Sequence, residues 1–91
     1  MLHERLTRQR AETIALDGLA FLAGRPDDIA RFLKNSGLDA VELRLRAGDP
    51  EVLRAVLDFL LTDDGLVTDF CSEAKLDPRD LHLANHVLSE P

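Results

Sequence analysis

A chain of 91 residues, 45% hydrophobic and 31% charged, has apolar material for one modest core and too much of it for a disordered segment. Its single cysteine excludes an internal disulfide, and no apolar run approaches the ~18 residues of a membrane span. The net charge of −6 is uneven: residues 1–46 hold eight basic and seven acidic side chains and residues 47–91 three and ten, so the second half repels phosphate backbones and anionic membranes.

Leucine dominates, Trp and Tyr are absent, and aromatic and β-branched residues are few, which favours an all-α fold. Residues 1–12 are polar and read as an N-terminal arm or the frayed, solvated start of a first helix. Arg5, Arg8 and Arg10 ahead of an apolar run imitate a secretory signal. Asp17 inside that run, with Glu4 and Glu12 beside the arginines, breaks the imitation, and the chain reads as cytoplasmic. From Thr13 to Ala23 the spacing puts Ala15, Leu16, Leu19, Leu22 and Ala23 on one helical face, widened by Ile14 and Phe21, with Gly24 as C-cap.

Pro26, Asp27 and Asp28 open a second helix: proline suits the first turn, and the carboxylates suit the positive end of the dipole. Ile29, Phe32 and Leu33 form its apolar face. Gly37 supplies a left-handed stop, with Leu33 and Leu38 in the contact positions of a Schellman motif. Asp39 then caps a short third helix. Glu42 stands at the capping-box position, and Leu38 with Leu43 forms a hydrophobic staple.

Asp49 as a capping carboxylate, followed by Pro50, starts the helix that organises the rest, residues 50–62. It is apolar at Val52, Leu53, Val56, Leu57, Phe59, Leu60 and Leu61, and polar in one stripe of Glu51, Arg54, Asp58 and Thr62. A helix apolar on all sides but one is wrapped by other helices. Asp63-Asp64-Gly65 turns the chain into a fifth helix with Leu66, Val67, Phe70, Cys71 and Ala74 inward. Asp77-Pro78 starts a sixth with Leu81, Ala84 and Leu88 inward.

Sliding residues 14–47 by 38 lays them on 52–85 without a gap, with eight of 34 positions identical. The matches fall on positions with structural roles: Phe21/Phe59, Phe32/Phe70, Leu38/Leu76, Asp39/Asp77 and Leu43/Leu81 among them. A three-helix unit of that size cannot bury its own core. The expectation is therefore an all-α compact bundle of about six short helices, a duplicated three-helix unit around the central helix 50–62. Residues 13–91 form one helical domain with pseudo-repeats 14–47 and 52–85.

RFLKNSGLDAVELR (Arg31 to Arg44), VLDFLLTDD (Val56 to Asp64) and Leu76-Asp77-Pro78, in that order, carry a family resemblance. The chain resembles the family catalogued as domain of unknown function 3572, small helical bacterial proteins, over about residues 14–88. Ala40 and Asp64 depart from the family's frequent Pro and Glu; both still suit a helix N-terminus. The resemblance implies a compact helical fold and no assigned activity.

Residues able to carry chemistry each have a plainer reading. His82 and His86 sit at metal-chelating spacing, but with Asn85 and Ser89 they form an exposed polar stripe, and no third ligand is close in sequence. Cys71 reads as a small buried hydrophobe rather than a nucleophile. Asp27/Asp28 and Asp63/Asp64 lie where helix starts need caps. No phosphate loop, zinc-finger spacing or nucleophile elbow is present. The expectation is a non-catalytic interaction module without cofactor or metal, recognising a basic protein partner through Asp58, Asp63, Asp69 and Glu73. The alternative is a nucleic-acid-binding accessory protein using the helix-turn-helix-like segment 28–47, with Arg44 and Arg46 as contacts.

Overall fold

The computed structural model describes residues 6–90, and its helices start where cap chemistry allows. α1 (Arg8–Ala23) begins at Thr7, whose Oγ1 accepts from the Arg10 N–H at 3.0 Å. The helix thus reaches back into the polar segment, and Ala11 is fully buried. The remainder of the expected arm, Arg5 included, lies outside the described residues. α2 (Pro26–Ser36) has proline in its first turn, and α3 (Ala40–Leu45) carries the complete Asp39/Glu42 capping box. α4 (Pro50–Leu61), α5 (Asp64–Ala74) and α6 (Pro78–Ser89) follow. Asp63 and Asp77 accept backbone N–H bonds at the starts of α5 and α6.

Asp49 does not cap α4, contrary to expectation. Its carboxylate takes the Arg46 Nε at 3.0 Å instead. Gly24 ends α1 without left-handed backbone, at φ −86°. Gly37 is left-handed at φ 77°, but its stop is the single-bond form: its N–H reaches Leu33 O at 3.0 Å, while the Leu38 N–H turns to Ser36 Oγ. The fuller motif occurs at the other stop, where Lys75 is left-handed at φ 55° and the Leu76 N–H reaches back to Cys71 O at 2.9 Å.

The centre is α1, α4 and α6 packed on one another, with α2 and α5 laid against both α1 and α4. Among the described residues the fold is an all-α bundle of six helices, as the sequence reads, and no strand occurs. α4 is central, and α1 shares that role. The six apolar positions of α4 from Val52 to Leu60 are buried, and its stripe of Glu51, Arg54, Asp58 and Thr62 is exposed.

The face of α1 is rotated from its expected position. Ala11, Ile14, Ala15, Gly18, Phe21 and Leu22 are buried, whereas Leu16 is 44% exposed and Ala23 is exposed. Gly18 is the cause: a Cβ there would stand 2.8 Å from Leu60 Cδ1 and 3.4 Å from Val56 Cγ1. Two helices approach closely where one lacks a side chain, and the crossing point sets which face turns inward. Ala74, expected inward on α5, is exposed. α3 is only six residues long and buries Leu43 alone.

Candidate functional site

Of the shallow grooves among the described residues, two are each floored by a pair of phenylalanines. The α1–α5 groove, about 300 Å³, has Phe21 and Phe70 beneath it, with ring centroids 5.3 Å apart. Asp17 and Ala20 line it from α1, Glu73 and Ala74 from α5. Both carboxylates are exposed, so two negative charges flank an aromatic floor from opposite walls. The α2–α4 groove, about 260 Å³, has Phe32 and Phe59 beneath it at 5.6 Å, edge to face. Its rim carries Asp58 together with neutral polar groups, Asn35 and Ser36 among them.

A chain of ion pairs joins α2 to α5. Asp28 accepts from Arg25 Nε and from Arg31 Nη2, both at 2.7 Å. Arg25 reaches on to Asp69 at 3.3 Å, and Arg31 to Asp63 at 3.6 Å. The same guanidiniums stand over Phe21 and Phe59, 4.9 and 5.4 Å from the ring centroids. The hydrogen bond from Arg25, then that from Arg31, holds the Asp28 carboxyl below its usual range, and the bonds to Asp28 raise both arginines.

The four acids of the expected interaction surface therefore divide. Asp58 lines the α2–α4 groove and Glu73 the α1–α5 groove. Asp63 caps α5 and faces Arg31, while Asp69 faces Arg25, so each of these two already has a cation beside it. Sequence reading gave Asp17, Arg25 and Arg31 no part in a site. The i,i+3 spacing of Arg25, Asp28 and Arg31 was a readable sign of mutual contact. Asp17, an acid within an apolar helical run and four residues before Phe21, marked the edge of a buried face.

The arginines of the alternative reading sit differently. Arg44 is exposed, and Arg46 is engaged by Asp49. The helix that would enter a major groove is the six-residue α3. His82 and His86 are exposed, and His86 pairs with Glu90 at 3.5 Å; among the described residues no three potential ligands converge. Asn85, expected in that exposed stripe, is half-buried because α6 packs against both α1 and α4, and its Oδ1 has no hydrogen-bond partner among the described residues. Cys71 is buried, and desolvation, then the charges of Asp77 and Asp80, push its thiol up, away from the reactive thiolate. No helix among the described residues is long and apolar enough to cross a membrane.

Residues 8–91 match the profile of a family described as Protein of unknown function (DUF3572). No curated protein and no solved structure matches the chain.

Proposed function

The chain belongs to the DUF3572 family of proteins of unknown function, and from that premise we propose that it is a non-catalytic, cytoplasmic protein-interaction module that docks a basic partner on its α1–α5 face. The observation that carries this reading is the placement of Asp17 and Glu73 on opposite walls above Phe21 and Phe70. Exposed carboxylates steer a cationic partner and accelerate its encounter. The exposed Ala20 and Ala74, with the small edges that Phe21 and Phe70 leave open, add an apolar contact that charge alone does not. The net charge of −6 acts in the same direction over longer range. Asp69 is a poor place to probe this surface, because reversing it also disturbs Arg25.

The test is the double reversal Asp17→Lys with Glu73→Lys. Both side chains are exposed, so the fold survives, read by helical circular dichroism and an unchanged melting midpoint. A partner captured by the unmodified protein should bind the variant about tenfold or more weakly, a change of about 1.4 kcal/mol. The unmodified complex should also weaken as salt rises. The nucleic-acid reading of segment 28–47 takes over if capture is unchanged and the protein instead retains DNA in a way that Arg44→Ala with Arg46→Ala abolishes.

A further inference from the structure

We propose that the two grooves are copies of one docking site, related by a local twofold axis, and that each takes one anchor of the same basic, aromatic-bearing peptide partner; this rests on the interaction reading above. The register of the lining residues carries it. Adding 38 to the α1 positions Asp17, Ala20 and Phe21 gives Ala55, Asp58 and Phe59, all of which line the α2–α4 groove. Subtracting 38 from the α5 positions Phe70, Glu73 and Ala74 gives Phe32, Asn35 and Ser36, which line it too. Each groove is thus built crosswise, from the first helix of one unit and the second helix of the other.

Other contacts obey the same exchange. The ring pair Phe21–Phe70 maps onto Phe59–Phe32. The ion pair Arg25–Asp69 maps onto Asp63–Arg31, with the two charges interchanged. At the crossing of α1 and α4, Gly18 faces Val56, the residue 38 positions later, which is where a twofold axis relating the helices must pass. Shared composition explains why two segments look alike. It does not explain why their contacts pair across units at one constant offset, which is the signature of an isologous interface.

The shared floor and the differing rims define the partner. The small apolar surface that the phenylalanines leave open under each groove, with Ala20 and Ala74 in one and Ala55 in the other, suits a single aromatic or large aliphatic side chain. Asp17 and Glu73 suit flanking lysine or arginine at the α1–α5 groove, and Asp58 alone does so at the α2–α4 groove, so the first binds more tightly. Between them the α2–α5 ion pairs hold their own charges in mutual contact, leaving the rim carboxylates to face the partner.

The experiment is an NMR titration of the isotope-labelled chain with the pentapeptide Lys-Lys-Phe-Lys-Lys, and with Glu-Glu-Phe-Glu-Glu as control. The expected result is two sets of shifting amides, Ala20 with Ala74 and Ser36 with Ala55, and two peptides bound per chain. The control should shift neither set. Asp17→Lys with Glu73→Lys should weaken the first set about tenfold and leave the second. Asp58→Lys should do the converse. Shifts confined to one groove overturn the twofold pairing of sites while the module reading stands. Shifts in neither groove overturn both. If both grooves shift on simple dilution of the free protein, a second copy of the chain fills them and the proposal fails.

Discussion

Lys75 holds left-handed backbone, φ 55° and ψ 50°, at the stop of α5, a conformation that costs a side-chain-bearing residue roughly 1 kcal/mol. Lys75→Gly should therefore stabilise the protein by about 0.5–1 kcal/mol, read as a raised urea midpoint at unchanged slope. Gly37→Ala should cost about 1 kcal/mol, and purely through the backbone, since a Cβ there meets nothing within 4 Å. A loss of stability in the first variant would mean that Lys75 has contacts worth more than its strain. Gly18 is the opposite kind of glycine. Gly18→Ala gains about 1 kcal/mol of helix propensity but forces the fully buried Leu60 aside, at about 1–3 kcal/mol, so a net loss near 1 kcal/mol is expected. The left-handed stops were legible because a stop is local chemistry. Gly18 was not, because nothing near it in sequence announces a neighbouring helix.

Among the elements, α2 depends most on charge, burying only Phe32 and joined to α5 by Arg25–Asp69 and Arg31–Asp63, with Asp28 holding both arginines. The outer pairs are exposed and contribute little each, whereas Asp28 has a side chain only 15% exposed and accepts two charged hydrogen bonds. Asp28→Asn should cost about 1–2 kcal/mol at neutral pH. Its folded pKa lies below the ordinary 3.8, so its contribution is complete above that value and is lost as pH falls through the folded pKa. The stability gap between Asp28→Asn and the unmodified chain should accordingly close below about pH 4 in parallel denaturation curves. A gap that stays constant through that range would assign the loss to packing instead. Helix existence and order were readable here because Pro26, Asp39, Pro50, Asp63 and Pro78 punctuate the chain. The rotation of α1 was not, since Leu16 and Ala11 exchange places for a reason located on α4.

At the scale of the molecule, a radius of gyration of 12.6 Å matches the ~12 Å expected for a compact chain of this length. Phe59, 7% exposed, belongs to the same buried cluster as Phe21, Phe32 and Phe70. Phe59→Ala should cost about 3–5 kcal/mol, a large share of a small domain's stability, against a negligible change for Glu90→Ala. A midpoint shift no larger than that control would remove Phe59 from the core. The offset of 38 was visible in the sequence and identifies which positions resemble one another. That α1 and α4 each pack on both α2 and α5 is invisible there, because other arrangements bury the same leucines and phenylalanines. The grooves were missed for that reason: Asp17 and Glu73 are 56 residues apart and line one groove only once α1 and α5 pack together.

The packing of α6 on α1 brings Arg8 Nη1 to 3.5 Å from Val87 O, so the first helix closes its buried face against the last. On a ribosome α2, α4 and α5 can cover their parts of the α1 face as they emerge, but the part that α6 covers stays open until Leu88 has been made, some 65 residues after α1 is complete. At about 5–20 residues per second the wait is roughly 3–13 s. During it the α6-facing side of α1 is open to whatever binds nascent apolar helices, so the last helix is the one that completes the core.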